Sequence, residues 1–331
     1  MAIHGHKIGE KIMKNKEMNS FASDVFEGLS SKNKYIPSKY FYDEKGGELF
    51  RKIMQMPEYY PTNAEHEIFT LHYEKLINRM NDRTDGFNMI ELGAGDGYKT
   101  KVILEHLYKR KIDFKYVPID ISKNVIINLE NDINKLFPNM RIEGRAEDYF
   151  HALDDIHDHS NKKLIVYFLG SNIGNLSEEQ AIDFLIDIAD RMNKGDNLLI
   201  GLDLKKDPSK ILMAYNDANG ITREFNMNLL ERMNRELGAD FNLSNFMHYP
   251  MYDPETGAAK SFLVSKKDQM VYFEQLQKTF FFEEWELIHT EISQKYDLEM
   301  IDLMAFSSGF RVIKNFYDSN RYFVDSLWEK L

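Results

Sequence analysis

An open α/β fold with a doubly wound sheet is what this chain of 331 residues predicts, and three stretches carry the expectation. The first is Ile90-Glu91-Leu92-Gly93-Ala94-Gly95-Asp96-Gly97-Tyr98-Lys99-Thr100. A short apolar run there ends in glycines, and apolar residues at helical spacing follow over 101–107. The second is Lys115-Tyr116-Val117-Pro118-Ile119-Asp120, another short strand closed by an acid. The third is Leu164-Ile165-Val166-Tyr167-Phe168-Leu169, a continuous apolar run of the kind a central parallel strand needs.

The remaining elements follow in order. Residues 1–20 are polar and lysine-rich and read as an N-terminal arm. A short helix is expected near 22–29, then a segment dense in aromatics and turn residues over 37–62, then a helix over 63–78. Helices near 97–109 and 122–136 alternate with strands near 87–92, 115–120 and 140–144. Ser177-Glu178-Glu179-Gln180 opens a helix with a capping box, and 197–203 is a fifth strand. Beyond 205 the alternation breaks into two helices over 208–238 and strand-like runs over 240–295. A helix near 297–308 and strands near 310–316 and 321–327 then resume it and would close a seven-stranded sheet. The expected division is a core over 63–205 plus 296–331 and a substrate-binding lid over 21–62 plus 206–295.

Composition narrows the function. The net charge of −11 disfavours nucleic acid and anionic membranes and fits an enzyme acting on a small molecule. The absence of cysteine excludes disulfides and thiolate metal sites. The N-terminal residues lack an apolar signal core, and no run approaches the ~20 apolar residues of a membrane span, so the reading is cytoplasmic. No metal site is expected: the ten histidines form no HExxH, and His151, His157 and His159 with Asp154, Asp155 and Asp158 read as a solvated loop.

The glycine turn points to a ligand. A strand-to-helix turn of this kind is where an open sheet receives a nucleotide-like molecule, against a helix N-terminus. Gly93-x-Gly95-x-Gly97 is not the dinucleotide G-x-G-x-x-G, and Glu91 would oppose a diphosphate. S-adenosylmethionine (SAM), which is cationic at sulfur and has no phosphate, suits the pattern better than a nicotinamide or flavin. Asp120, at the end of the second strand, can take both ribose hydroxyls, a device that NAD and SAM enzymes share.

Several motifs together resemble one family, the SAM-dependent histidine-specific Nα-methyltransferases of ergothioneine biosynthesis, with relatives acting on tryptophan-type substrates. The matching stretches are Lys39-Tyr40-Phe41-Tyr42-Asp43, Leu49-Phe50, Pro57-Glu58-Tyr59-Tyr60-Pro61-Thr62, Glu91-Leu92-Gly93-Ala94-Gly95 with Lys99-Thr100, and Phe168-Leu169-Gly170-Ser171-Asn172-Ile173-Gly174-Asn175-Leu176. Asp203-Leu204 with Lys206-Asp207, Ala214-Tyr215 with Asp217, Phe225-Asn226, and Thr290-Glu291-Ile292-Ser293 with Lys295 continue the match in order.

The resemblance implies a class I SAM-dependent methyltransferase core, a Rossmann-like seven-stranded sheet, with an inserted α+β substrate-binding domain. It places Gly93, Lys99 and Asp120 at SAM, the co-substrate. It places Tyr59, Asn175 and Tyr215 at the carboxylate of an amino acid, Glu291 and Ser293 at its ring, and Tyr42 as the catalytic tyrosine beside the reacting amine. The implied reaction methylates the α-amino group of a free amino acid. Histidine comes first, taken to trimethylhistidine (hercynine), and another aromatic amino acid such as a tryptophan derivative is the alternative. A non-catalytic SAM-binding module is a further alternative, against which the retained Tyr59, Asn175 and Tyr215 argue. Three places in the chain, four residues in all, depart from the family pattern. Arg145-Ala146 stands where the family carries Asp-Phe after the third strand, so no adenine contact is assigned there. Asn172 replaces a Thr, and Ser261 aligns with a Met of the histidine enzymes.

Overall fold

The computed structural model describes residues 20–80, 86–159 and 162–331, and the chain divides into two compact units. The expected arm over 1–20 lies, apart from Ser20, outside the described residues. One unit comprises residues 56–211, 252–259 and 292–331. The other comprises residues up to Gln55 together with 212–251 and 260–291.

The first of these units is built on a six-stranded sheet. Its strands are β1 (Phe87–Leu92), β2 (Phe114–Ile119), β3 (Lys163–Phe168), β4 (Asn197–Asp203), β10 (Phe310–Tyr317) and β11 (Phe323–Lys330), numbered among eleven in chain order. The order across the sheet is β10-β11-β4-β3-β1-β2, with β1, β2, β3 and β4 parallel and β11 antiparallel to both neighbours. The strand order reverses between β1 and β3, so the carboxyl ends of these two strands flank the switch point where open sheets bind ligands. Strands β1 and β3 are buried along their whole length, as their apolar runs require. Helices α3 (Pro61–Met80), α4 (Thr100–Lys109), α5 (Lys123–Leu136), α6 (Tyr149–His159), α7 (Glu178–Asp190) and α10 (Leu298–Ser307) belong to this unit. Two apolar clusters fill it, one around Ile90, Val166, Ile200 and Trp328 and the other around Phe69, Met89, Tyr167 and Leu199.

Two expectations are corrected here. The seventh strand, expected near 140–144, is not continuous; it touches β2 through isolated parallel bridges at Tyr116–Ile142 and Ile119–Arg145. The backbone hydrogen bonds explain why. Tyr116 donates to Arg141 (2.9 Å), Glu143 to Tyr116 (3.0 Å), Arg145 to Pro118 (2.9 Å) and Asp120 to Arg145 (3.1 Å). The missing rung is the one Pro118 would donate, and proline has no N–H to give. The stretch with His151, His157 and His159 is not a loop but helix α6, whose inner face buries Ala152, Leu153 and Ile156. Apolar residues three and four apart within a charged run carried that helix.

The second unit holds helices α1 (Ser20–Ser30), α2 (Glu44–Met54) and α9 (Ile221–Leu237), and a hairpin of β7 (Gln269–Phe273) with β8 (Lys278–Phe282). Helix α8 (Pro208–Tyr215) and strands β5 (Phe246–Asp253), β6 (Ala258–Ser265) and β9 (Leu287–Gln294) carry the chain from one unit into the other. These strands form a three-stranded sheet in the order β5-β6-β9. Asp43 caps α2 by accepting from the Gly46 N–H (2.7 Å), and it also accepts from Asn228 Nδ2 (2.8 Å) and Arg235 (2.5 Å) of α9. Phe41 stacks on Phe225 at 4.5 Å between ring centroids. Among the described residues, no helix is long and apolar enough to cross a membrane.

Candidate active site

The glycine turn leaves β1 at the switch point and is pinned to the end of β2. The N–H groups of Gly93 and Ala94 donate to the Ile119 carbonyl at 2.8 and 3.2 Å. Gly93 has φ +71, and a Cβ there would lie 2.9 Å from the Tyr149 hydroxyl. Only glycine meets both demands at that position. A Cβ on Gly95 would meet nothing within 4 Å, so the loop has open space on that side. Asp120 stands over the same turn. Its carboxylate accepts from the Ser122 N–H (2.9 Å) and lies 3.4 Å from the Gly95 nitrogen. Gly93, Asp120 and Tyr149 thus gather at one end of the sheet. The turn offers open space beside Gly95 with a carboxylate next to it. Tyr149 has its hydroxyl pushed up to about 12, by burial and then by the charges of Asp120 and Asp148. No motif in the sequence marks Tyr149, which lies on the first turn of α6.

Beneath the turn lies a buried polar network. The Lys99 ammonium pairs with Glu65 of α3, and Glu65 also accepts from the Gly170 N–H at 2.8 Å. Burial would lower the Lys99 ammonium, but the adjoining Glu65 charge holds it above the ordinary lysine range. Asp325 on β11 joins this group; burial, then the Glu65 charge, push its carboxyl well above the usual carboxylate range. Glu91 does not face a ligand. It is turned inward, accepting from Thr100 Oγ1 (2.5 Å) and from the Tyr116 hydroxyl. Its carboxylate therefore does not face the position a diphosphate would take, contrary to the expectation from the sequence. Glu65 could not be found from local sequence, since it meets Lys99 from a helix 34 residues earlier.

Glu91 gives a test of this network. Burial raises its carboxyl from 4.5 to about 7, against the hydrogen bonds from Thr100 and Tyr116 and the charge of Lys99. A raised folded value means that the group's contribution to stability is full below pH 4.5 and is lost as pH rises through about 7. The decline is about 3 kcal/mol by linkage. Glu91→Gln has no such proton to lose. Its unfolding free energy in urea is expected to fall less steeply over that range than the parent's, and parallel pH profiles would contradict the assignment.

Asp203, at the carboxyl end of β4, is bonded by neighbours of the other expected residues of this unit, Tyr59, Asn175 and Ser293. The Asp203 N–H donates to Ser171 Oγ (3.0 Å), and the Tyr60 hydroxyl donates to both carboxylate oxygens (2.9 and 3.1 Å). Lys206 reaches Oδ1 (2.5 Å) and Lys295 reaches Oδ2 (2.9 Å). Burial alone would raise the Asp203 carboxyl; the charges of Lys295 and Lys206 hold it below the ordinary range. Ser171 sits at φ +56, a strained left-handed turn that opens the short 3-10 helix ending at Asn175. A Cβ on Gly174 would lie 2.8 Å from the Gln294 carbonyl, so this turn packs directly on the end of β9, beside Ser293. Asp203 therefore ties together the segments of Tyr59, Asn175 and Ser293. Asp203, Lys206 and Lys295 stood in the matched motifs, but nothing in the sequence assigned them a joint place.

The second unit gathers Tyr42, Tyr215, Glu291 and Ser261. Tyr42 has rings of Phe50 and Phe225 edge-on at 5.4 and 5.8 Å and remains half exposed. Surrounding protein, then the charge of Glu291 and the neighbouring Tyr215, raise its hydroxyl above the ordinary tyrosine range. The Ser261 hydroxyl donates to Glu291 Oε2 at 3.2 Å. Thr290, next in the chain, is buried with its hydroxyl bonded to Asn226 (2.8 Å) and the Ser261 carbonyl (3.0 Å), which fixes the face that Glu291 occupies on β9. Among the described residues, no cluster of three or more His, Cys, Asp or Glu could hold a metal ion.

Comparison with known proteins adds to this geometry. Residues 21–330 match the family model described as histidine-specific methyltransferase, SAM-dependent. A histidine N-alpha-methyltransferase of Mycolicibacterium smegmatis is 34% identical over 288 residues, 87% of this chain and 88% of that protein. One of Mycobacterium tuberculosis is 34% identical over 291 residues, 88% and 89% of the two chains. Ergothioneine biosynthesis protein 1 of Neurospora crassa is 29% identical over 294 residues, 87% of this chain and 32% of that longer protein.

Proposed function

The chain belongs to the SAM-dependent histidine-specific methyltransferase family, and from that premise we propose that it methylates the α-amino group of free L-histidine, through to the trimethylated product. The observation that carries the reading is the match over nearly the whole chain, at 34% identity, to proteins named as histidine N-alpha-methyltransferases. The protein is a SAM-dependent methyltransferase, and bound SAM supplies the electrophilic methyl group.

The chain's own residues supply position and surroundings. In this reading Asp120 accepts the ribose hydroxyls, Gly93 lets the backbone approach, and Lys99 lies beneath the loop. Tyr59, Asn175 and Tyr215 offer neutral donors to the substrate carboxylate, which keeps an added cation away from the sulfonium. Glu291 and Ser293 take the ring. Methyl transfer needs a neutral amine held in line, so most of the acceleration comes from orientation and exclusion of water. The raised hydroxyl of Tyr42 keeps it neutral, so it serves as a donor and an aromatic face rather than as a base. Its ring would favour the methylated ammonium by about 0.5–2 kcal/mol. The displaced amine proton leaves to water.

Two experiments test these roles. Nα-acetylhistidine should accept no methyl group under conditions where histidine does; transfer to the blocked compound would move the reaction to the ring. Asn175→Ala should leave SAM affinity intact and raise the histidine KM roughly tenfold or more, the cost of one lost bond to a charged group. Loss of SAM binding would instead place Asn175 on the co-substrate side.

A further inference from the structure

Lys295 is almost fully buried (1% exposed), and its ammonium donates to Ser293 Oγ at 2.8 Å while pairing with Asp203 at 2.9 Å. An ammonium has donors and no lone pair. Ser293 must therefore accept from it, and the serine hydrogen must point elsewhere. Nothing lets this arrangement reverse, because Asp203 is itself held by Lys206 and by the Tyr60 hydroxyl. The Lys295 backbone is fixed as well, its N–H donating to the Gly257 carbonyl at 2.8 Å. Ser293 is 7% exposed, and among the described residues no acceptor takes its proton. Two residues away on β9 stands Glu291, an acceptor held by Ser261, and alternate residues of a strand share a face.

We propose that Lys295 is a positioning residue that locks Ser293 as a hydrogen-bond donor, so that β9 offers a substrate ring one acceptor and one donor. The proposal rests on the reading above that Glu291 and Ser293 take the ring. It narrows the ligand to an uncharged ring that carries one N–H and one unprotonated nitrogen, which describes neutral imidazole. An imidazolium could donate only to the remaining lone pair of Ser293, which would leave the serine hydrogen buried without an acceptor. A pyrrole or indole, whose N–H is taken by Glu291, would leave the Ser293 hydrogen buried without an acceptor.

The test compares kcat/KM for histidine with that for β-(pyrrol-2-yl)alanine and β-(pyrrol-3-yl)alanine, each of which keeps one ring N–H and replaces the other nitrogen by C–H. The parent enzyme should prefer histidine to both by about tenfold or more. Lys295→Met should shrink that preference about tenfold while SAM affinity, measured by calorimetry, stays unchanged. Lys295→Arg, still a pure donor, should restore most of it. Ser293→Ala should give the same narrowing and serves if Lys295→Met does not fold. A preference unchanged in the folded variants overturns the proposal while leaving the reaction standing. A parent enzyme that transfers no methyl group to histidine overturns both.

Discussion

Asp120→Ala is expected to weaken SAM binding roughly a hundredfold, which corresponds to about 3 kcal/mol. The carboxylate lies by the Gly95 nitrogen and is already oriented by the Ser122 N–H, so it is in place before any ligand arrives. Two ribose hydroxyls donating to one carboxylate make two charge-assisted bonds, each stronger than a neutral one. Removing their shared acceptor also leaves both hydroxyls to find water inside a partly enclosed turn. Calorimetric titration with SAM measures the effect. Asp120→Asn, which keeps an acceptor oxygen, should fall between the two. An alanine variant with the parent's affinity would remove Asp120 from the ribose and shift the adenosine toward Tyr149.

Lys99→Met is expected to lose about 3–5 kcal/mol of folding stability at mildly alkaline pH, because it strips the counter-charge from a buried carboxylate. Glu65 is fully buried, with Asp325 close by. Without the lysine the negative charge of this buried acidic group has no counter-charge, and an unpaired buried charge costs more than the same group with a further proton bound. Stability that depends on such a proton is complete below the ordinary carboxylate range and is lost as pH climbs. The deficit relative to the parent should therefore widen between about pH 5 and about pH 8. Urea unfolding at both values reads it directly. A deficit of equal size at both would mean that Lys99 acts by packing and not by its charge.

Much of the sheet end that carries the glycine turn was legible because its signals are local. The glycine turn, the acid at Asp120 and the apolar run of β3 each lie within about ten residues, and each imposes its own backbone geometry. The sheet edge was misjudged through a single residue. Pro118 reads as part of β2, and it is; its missing N–H also removes a rung from the neighbouring segment, which no window on 140–144 reveals. The helix carrying His151 was hidden by the charges on its outer face. The polar networks were illegible for a different reason. Glu65 meets Lys99 across 34 residues, and Asp203 meets Lys295 across 92, so their pairing exists only once the chain is folded. Family resemblance had marked Asp203, Lys206 and Lys295 as positions; only their convergence on one carboxylate gave them a physical role.

Methyl transfer from SAM to the α-amine of histidine can be read by mass spectrometry of the purified protein incubated with SAM and each free amino acid in turn. Successive methyl increments on histidine are expected, ending at the trimethylated product, with fragmentation locating every increment on the α-nitrogen. Methylation of a different amino acid in preference to histidine would contradict the assignment of Glu291 and Ser293. Methylation of none, with SAM bound, would contradict the proposed reaction itself.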